Sequence, residues 1–226
     1  MLEFFRKYQK FCFFFIAVVI IASFSFVFST CDAHEVSHQT PFYIEKKVAV
    51  ISSGLPGVGK STLLKELSKR ISNSIYLDKD TVAPALLTGQ KDSSYFSDYY
   101  YKYVRNQTYE AMFAIAEDNC KNGCHIVLLD GFLGDKLSSP TVQNFLQSPY
   151  SEKRVVYFYC SQEVNKERII VRGEIRDRQK LIDFSEYYRK TLAIHEKELE
   201  GFSYLSINTE DDQEKNIALL LEYLQK

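Results

Sequence analysis

The residues best suited to chemistry lie at Gly54–Thr62, which read Gly-Leu-Pro-Gly-Val-Gly-Lys-Ser-Thr and match the P-loop pattern G-x-x-x-x-G-K-S. Glycine lets a backbone turn at positive φ and approach a ligand closely, so that consecutive N–H groups form a concavity for phosphate. Lys60 would then contact the β and γ phosphates, and Ser61 would ligate Mg²⁺. The pattern predicts that a nucleoside triphosphate is bound by Gly54, Pro56, Gly57, Val58, Gly59, Lys60, Ser61 and Thr62.

Acidic residues end two further apolar runs. Asp78 and Asp80 follow the run at 74–77, and Asp130 follows the run at 125–129. The carboxyl ends of parallel strands open into the crevice where such sheets bind ligands. We expect Asp80 to take a proton from an acceptor hydroxyl, Asp78 to assist the metal or contact the substrate, and Asp130 to hold Mg²⁺ or orient the acceptor. In the alternative interpretation, Asp80 and Asp130 only cap the backbone that follows them.

Basic residues are concentrated after another apolar run, at 154–160. The cluster consists of Arg168, Arg172, Arg176 and Arg178. Arginines on a flap that closes over a triphosphate would offset charge on the transferring phosphoryl group. We therefore predict that Arg172 and Arg176 act in catalysis and that Arg178 contacts the nucleotide. A charge run is also typical of a solvated surface, and that alternative stays open.

Tyrosines are unusually frequent in the long helix predicted at 95–122. Tyr99 and Tyr103 could form a wall that stacks on a ring of the acceptor, which makes them candidate substrate contacts. Alternatively, they pack along the helix with their hydroxyls in water. Helical spacing predicts that the buried stripe of this helix contains Tyr100, Val104, Ala111 and Ile115.

These residues need a framework that places them together. Short apolar runs, rich in β-branched residues, predict strands at 47–52, 74–77, 125–131, 154–160 and 202–207. Amphipathic stretches between the runs predict helices. Strands that alternate with helices indicate the α/β class.

Length and composition limit the possible functions. The chain has 226 residues, of which 46% are hydrophobic and 25% are charged, as is typical of a globular protein with a sizeable core. A net charge of -1 gives no strong signal for nucleic acid, and no specific protein partner is predicted. Five scattered cysteines do not indicate a disulfide framework.

The order of the motifs resembles that of the small P-loop kinases with an AAA-type ATP-binding domain. Within them it is most similar to the group of polynucleotide 5'-kinase, zeta toxins and chloramphenicol phosphotransferase. The matching segments are Gly54–Thr62, Leu77–Asp80, Val127–Phe132 and Arg168–Arg178. Polynucleotide kinases tend to carry an arginine three residues after the base, where this chain has Ala83, and zeta toxins place a glutamate where Asp130 stands. These departures concern the acceptor more than the chemistry.

The resemblance implies a P-loop NTPase three-layer fold, with a parallel sheet of about five strands between helices. It also implies ATP and Mg²⁺ as cofactors and phosphorylation of a hydroxyl group. The family roles fall on Lys60 for phosphate, Ser61 for metal, Asp80 for the base, Asp130 for metal or acceptor, and Arg172, Arg176 and Arg178 for the lid.

The N-terminal segment is more apolar than the rest of the chain. Residues 11–28 contain no charged residue, and Arg6, Lys7 and Lys10 precede them. Because a signal-peptide core usually has about 7 to 15 residues and a membrane span about 17 to 25, we predict a single-pass hydrophobic helix with a cytoplasmic N-terminus. Secretion or export after signal cleavage is the alternative. The predicted division is an anchor or signal at 1–30, a polar linker at 31–46 and a P-loop kinase domain at 47–226.

The combined prediction is an ATP-dependent phosphotransferase, membrane-attached or exported, that acts on a hydroxyl of a small molecule or nucleotide. Two alternatives stay open. One is an ATP-binding switch or ATPase that transfers phosphate to no acceptor, and the other is a nucleoside monophosphate kinase.

Overall fold

The computed structural model describes residues 41–88, 97–131 and 139–226. The predicted anchor or signal at 1–30 and residues 31–40 of the predicted linker lie outside these ranges. None of the helices within the ranges is both long and apolar enough to cross a bilayer. Residues Pro41–Lys226 form one compact unit. Phe42 pairs with Ile71 in a short parallel bridge, and Ile44 is buried, so residues 41–46 pack on the domain.

A parallel sheet forms the centre of the described domain. Its strands run in the order β2-β3-β1-β4-β5. The strands are β1 (Val48–Ser53), β2 (Ser74–Asp78), β3 (Ile126–Asp130), β4 (Glu152–Tyr159) and β5 (Tyr204–Asn208). Every residue of β1 and β3 is buried, which explains their continuous apolar sequences, since a central parallel strand is covered on both faces.

Helices connect the strands and cover the sheet. They are α1 (Lys60–Arg70), α2 (Lys79–Leu87), α3 (Arg105–Lys121), α4 (Pro140–Gln147), α5 (Gln162–Arg172), α6 (Arg178–Ile182), α7 (Phe184–Leu199) and α8 (Gln213–Gln225). A π-helix, Tyr100–Val104, runs directly into α3, and a short 3₁₀-helix, Ile175–Asp177, lies between α5 and α6.

The two faces of the sheet have separate cores. Side chains of a strand alternate between faces, so Val48 and Val50 of β1 pack with α1 and α8, whereas Ala49 and Ile51 pack with α3 and α4. The domain therefore has three layers, with a parallel sheet between helices. This confirms the predicted fold class for the described residues.

The π-helix changes which side of α3 is buried. The predicted stripe is right at Tyr100 and Val104 but wrong at Ile115, which is 38% exposed. A π turn spans more residues than an α turn, so the buried face reappears about one position later than helical spacing predicts. The buried residues of α3 are Thr108, Tyr109, Met112, Phe113, Ala116 and Cys120.

The strand order also creates the site. Strand β3 lies between β1 and β2. The connection after β1 therefore crosses the sheet toward the β2 edge, whereas the connection after β3 crosses it toward the β5 edge to reach β4. Such a reversal opens a crevice at the carboxyl ends of the strands. The loop after β1, Asp78 at the end of β2 and Asp130 at the end of β3 meet there, and Asp78 is paired in register with Asp130.

Candidate active site

The loop after β1 is shaped by its glycines. Gly54 has a φ of 130°, and a Cβ atom on it would overlap the carbonyl oxygen of Phe158. Gly59 has a φ of 101° and forms the N-cap of α1. Both positions therefore need glycine, and the loop delivers the N-terminus of α1, with its free N–H groups, to the crevice.

Lys60 is held inside this loop. Its ammonium donates hydrogen bonds to the carbonyl oxygens of Gly54 and Leu55, each over 2.9 Å. Burial lowers the pKa of Lys60 to about 8, although the nearby Asp130 carboxylate opposes that shift. A largely buried cation whose hydrogen bonds within the described ranges go to two carbonyl oxygens is well placed to receive a phosphate.

Three side chains brace the loop from α5 and from the end of β5, and the sequence analysis singled out only one of them, Arg168. Asn165 donates to the carbonyl oxygen of Pro56 over 2.9 Å. Arg168 donates to the carbonyl of Val58 over 2.8 Å and to the Thr209 hydroxyl over 2.7 Å. Arg168 therefore links the loop after β1 to Thr209, at the end of β5. Asparagine and threonine are common at surface positions, so no signal in the sequence marked Asn165 or Thr209.

Ser61 and Asp130, the two predicted metal ligands, line the same cavity. Ser61 is exposed at the start of α1, and Asp130 is 3% exposed at the end of β3. The Tyr76 hydroxyl donates to Oδ2 of Asp130 over 2.5 Å. Tyr76 was not predicted, but it stands two residues before Asp78, and residues at that spacing share one face of a strand. Burial raises the pKa of the Asp78 carboxyl, which also accepts a hydrogen bond from the backbone N–H of Asp80.

Asp80, the predicted base, lines the same cavity. Its carboxylate oxygens are 3.1 Å from Nζ of Lys79 and 3.0 Å from a guanidinium nitrogen of Arg176. Asp78, not Asp80, accepts the capping hydrogen bond at the start of α2. The capping alternative for Asp80 is therefore wrong, and its carboxylate faces cations instead.

Residues 172–183, which we call the lid segment, border the cavity on the side of Arg176. Asp177, 1% exposed, joins its parts by accepting hydrogen bonds from Arg172 over 2.6 Å and from Lys180 over 2.6 Å. Burial alone would raise the pKa of Asp177, but the hydrogen bonds from Lys180 and Arg172 hold it below its usual value. Arg172, Arg176 and Lys180 line the cavity, whereas Arg178 is exposed and does not. Lys180 is thus a cavity cation that the sequence did not single out, and the nucleotide contact of Arg178 stays a prediction.

The predicted tyrosine contacts also fall beside the cavity. The rings of Tyr99 and Tyr103 pack against each other with centroids 5.1 Å apart, and both are exposed. Tyr100 and Tyr101 line the cavity in their place. The π-helix turns these neighbours toward the site, a change that ordinary helical spacing does not reveal.

The cavity has a volume of about 1010 Å³ and is lined by most of the predicted site residues. Its lining includes the P-loop residues Pro56, Gly57, Gly59, Lys60, Ser61 and Thr62, the acids Asp78, Asp80, Asp130, Glu174 and Asp211, and the cations Lys65, Lys79, Arg105, Arg168, Arg172, Arg176 and Lys180. Gly54 and Val58 are buried behind them and shape the loop.

The chain matches the AAA domain family over residues 50–189, which is more than half of its length. No curated protein matches the sequence. Similar solved structures include a sugar kinase from Janibacter sp. HTCC2649 (15% identity, TM-score 0.53, covering 79% of this chain and 94% of that one). Two others are the tunicamycin resistance protein of Deinococcus radiodurans (14%, 0.55, 79% and 96%) and a gluconokinase from Sinorhizobium meliloti 1021 (14%, 0.52, 81% and 93%). At such identities the likeness shows the fold alone. The chain therefore belongs to the AAA domain family and is built like the small P-loop kinases.

Proposed function

We propose that this protein is an ATP- and Mg²⁺-dependent phosphotransferase that moves the γ-phosphate of ATP to a hydroxyl group. The observation that carries the proposal is the arrangement of Lys60, Asp130 and Asp80 along one cavity. Lys60 marks the phosphate end, Asp130 the metal end and Asp80 the acceptor end. A sugar kinase and a gluconokinase with the same fold support this reaction class.

The loop after β1 fits a triphosphate. Gly54 and Gly59 hold it in a conformation that other residues rarely adopt, and α1 presents its positive end. Burial without a full counter-charge is unfavourable for Lys60, so phosphate oxygens would stabilise its ammonium. Lys60, the backbone N–H groups of the loop and Arg172 would then share the charge of the triphosphate.

Ser61 and Asp130 fit a magnesium ion. A hydroxyl and a carboxylate are the hard oxygen donors that Mg²⁺ prefers, usually together with phosphate oxygens and water. Tyr76 holds Asp130 in one orientation through the hydrogen bond to its Oδ2 atom. When bound, Mg²⁺ neutralises charge that develops on the transferring group.

Asp80 would act as the general base. It is partly exposed at the acceptor end, and Lys79 and Arg176 fix its carboxylate. The acceptor oxygen forms a bond to the γ-phosphorus, the bond from that phosphorus to the bridging oxygen breaks, ADP leaves, and the hydroxyl proton passes to Asp80. Arg172, Arg176 and Lys180 place positive charge beside the transferring phosphoryl group.

The direct test is transfer of label by the purified full chain. γ-Labelled ATP and Mg²⁺ are supplied with nucleosides, sugars, sugar nucleotides, aminoglycosides, chloramphenicol or nucleic-acid ends, and labelled phosphate esters are the expected products. Lys60→Ala should abolish the transfer. Lys69→Ala is the matched control, because Lys69 lies on the exposed side of the same helix. Nucleotide binding without label in any acceptor contradicts the proposal, and label on an existing phosphate indicates a nucleoside monophosphate kinase.

A second function has one observation in its favour. The contact of Asp80 with Arg176 joins the end of β2 to the lid segment, so Asp80 also acts as an anchor. If anchoring were its only role, ATP would order the lid segment without transfer, and the protein would be a nucleotide-dependent switch. Tight ATP binding together with ADP release that no acceptor increases would support the switch.

We also propose that residues 11–28 attach the protein to a membrane. The support is the run of uncharged, mostly apolar residues that follows Arg6, Lys7 and Lys10. Membrane fractions of cells that express the full chain would be washed with alkaline carbonate, and the protein's N-terminus would be sequenced. Retention of the intact chain supports an anchor, and a shortened chain indicates a cleaved signal. Recovery of the intact chain in the soluble fraction contradicts both.

A further inference from the structure

Helix α7 contributes one stripe of side chains to the lining of the cavity. Tyr187, Thr191 and Ile194 follow each other at helical spacing, four and then three residues apart, and all three line the cavity. The neighbouring stripe of the same helix, which contains His195 and Leu199, is buried in the domain. One side of α7 therefore packs on the sheet while the side next to it borders the cavity. We call Tyr187, Thr191 and Ile194 the α7 wall.

The α7 wall carries no charged group. Ile194 is 46% exposed, although it lines the cavity. The Thr191 hydroxyl donates a hydrogen bond to the carbonyl oxygen of Tyr187 over 2.7 Å, so its proton is used within the helix. Burial raises the pKa of Tyr187 to about 12, so its phenol is neutral at physiological pH. This wall therefore offers an apolar and aromatic surface to whatever enters the cavity.

Tyrosines also line the cavity from the π-helix that leads into α3. Tyr100 and Tyr101 both contribute to the lining, and Tyr101 is 54% exposed. Their rings meet edge to face, with centroids 5.3 Å apart and an angle of 69° between the planes. An exposed tyrosine ring that lines a cavity can stack on a flat group of a ligand.

The α7 wall and these tyrosines flank the same strand ends. Helices α3 and α7 lie on one face of the sheet, because both contribute to the same core. Helix α7 lies over the end of β1, where Nδ1 of His195 is 3.1 Å from the Ser53 hydroxyl. The start of α3 lies over the end of β3, where the Tyr109 ring would be 3.4 Å from a Cβ atom on Gly131. Strands β1 and β3 are neighbours, so the two helices border the crevice from two sides.

The lid segment connects the α7 wall with the candidate base. Nζ of Lys180 lies 5.8 Å from the centre of the Tyr187 ring, and Arg176 lies 3.0 Å from the Asp80 carboxylate. Arg176 and Lys180 are four residues apart in consecutive helical turns, so their backbones are about 6 Å apart along the helix. A group on the α7 wall and a hydroxyl beside Asp80 can therefore belong to one small acceptor.

We propose that the acceptor carries a flat, largely apolar ring, which binds between the α7 wall and Tyr101 while its hydroxyl lies beside Asp80. This inference rests on the proposed function, because it names the acceptor class of the same reaction. Apolar surface gains free energy when it leaves water for an apolar wall, and tyrosine faces favour flat rings. The acceptor is thus distinguished from ring-free polyols and from simple sugars.

The test compares compounds that differ by one apolar ring. The full chain is saturated with Mg²⁺ and a non-hydrolysable ATP analogue, which fills the triphosphate site. Calorimetric titrations then compare methyl riboside with uridine, methyl glucoside with phenyl glucoside, and glycerol with its phenyl ether. We expect the second member of at least one pair to bind about tenfold more tightly than the first. Equal affinity within every pair, or no binding of any of the second members, overturns the inference.

Variants identify the residues responsible. Ile194→Asn places an amide on the α7 wall and should reduce the preference for the added ring about fivefold, whereas Ile194→Leu should keep it. Ile170→Asn is the matched control, because Ile170 is also an exposed isoleucine on a helix but is not among the described residues that line the cavity.

The opposite side of the ring site is tested in the same way. Tyr101→Leu keeps an apolar side chain but removes the aromatic face, so the preference should fall about threefold or more. Tyr103→Leu is its control, since Tyr103 is exposed and packs on Tyr99 beside the cavity. A preference that is unchanged in both Ile194→Asn and Tyr101→Leu contradicts the assignment to these walls.

The two proposals fail in different ways. The titrations require no turnover, so a preference for the ring without any transfer of label leaves the ring site intact and contradicts the phosphotransferase. Transfer of label to ring-free acceptors as readily as to their ring-bearing partners confirms the phosphotransferase and contradicts the ring-bearing acceptor.

Discussion

The Tyr76 hydroxyl donates a hydrogen bond to Oδ2 of Asp130 over 2.5 Å, so a side chain of β2 orients the metal-type carboxylate of the neighbouring strand. Burial raises the pKa of the Tyr76 hydroxyl, and the charge of Asp130 raises it further. Tyr76 therefore stays a hydrogen-bond donor at physiological pH. This contact therefore fixes the orientation of the Asp130 carboxylate, which we propose as a ligand of Mg²⁺.

Tyr76→Phe should weaken Mg²⁺-dependent binding of ATP, because Asp130 loses the hydroxyl group that orients its carboxylate. Partners that orient a metal ligand typically contribute about 10- to 100-fold to metal affinity or activity. We expect the Mg²⁺ concentration for half-maximal ATP binding to rise about tenfold, as measured by fluorescence titration with a labelled nucleotide. Tyr223→Phe is the control, since the hydrogen bond that the Tyr223 hydroxyl makes in the described part of the chain is a long one, to the Val155 carbonyl at 3.5 Å. An unchanged Mg²⁺ requirement in Tyr76→Phe would contradict an orienting role.

Asp80→Asn should separate binding from transfer. The amide keeps the size of the side chain but cannot take the hydroxyl proton, and general-base catalysis contributes about 10²- to 10⁴-fold. We expect ATP affinity to change little and the turnover number to fall at least about 100-fold. Equilibrium titration and rates of ADP release with an active acceptor measure the two quantities.

Arg176→Gln shows whether Asp80 is a base or only an anchor. This variant removes the 3.0 Å contact from the lid segment and leaves the Asp80 carboxylate in place. Because we also propose that Arg176 stabilises the transferring phosphoryl group, turnover alone does not separate the two roles of Asp80, and limited proteolysis of the lid segment is measured as well. If Asp80 is the base, Asp80→Asn loses turnover while its lid segment stays as protected as in the wild type. Equal exposure of the lid segment to protease in both variants would mean that anchoring it is the role of Asp80.

Much of the framework follows from local patterns in the sequence. The P-loop spacing, the apolar strands and the acids at their ends predicted which residues meet, because the carboxyl ends of parallel strands gather at one edge. Lys60, Asp80 and Asp130 do line one cavity. These features depend on short stretches of chain whose conformations are determined by neighbouring residues in the sequence.

The remaining features depend on contacts that the sequence does not display. The π-helix at Tyr100–Val104 turns Tyr100 and Tyr101 toward the cavity instead of Tyr99 and Tyr103. Lys180 lines the cavity because it pairs with the buried Asp177, whereas Arg178 points outward to solvent. Packing between elements that are distant in the sequence determines which of these side chains face the cavity, so periodicity alone could not identify them.

Gly54→Ala should destabilise the fold strongly. The Cβ atom would overlap the carbonyl of Phe158 on the neighbouring strand, and a φ of 130° is itself unfavourable for alanine. Together these effects should lower the free energy of unfolding by about 3 kcal/mol or more. Gly123→Ala is the matched control, because Gly123 has a φ of 104° but no atom within 4 Å of an added Cβ. Urea denaturation that shows equal losses in both variants would contradict the role of the steric overlap.

His195 should make folding sensitive to mild acid. It is fully buried on α7, its Nδ1 atom lies 3.1 Å from the Ser53 hydroxyl, and burial lowers its pKa from 6.5 to about 3. As the pH falls, His195 is therefore protonated in the unfolded chain before it is protonated in the folded chain. The contribution of neutral His195 to the free energy of unfolding is thus present above pH 6.5 and is lost as the pH falls toward 3. Urea denaturation should show that His195 accounts for a loss of about 2 kcal/mol between roughly pH 6.5 and 5. His195→Asn should lack that loss, and the control His125→Asn should retain it. The same pH dependence in His195→Asn and the wild type would show that His195 is not the group that titrates.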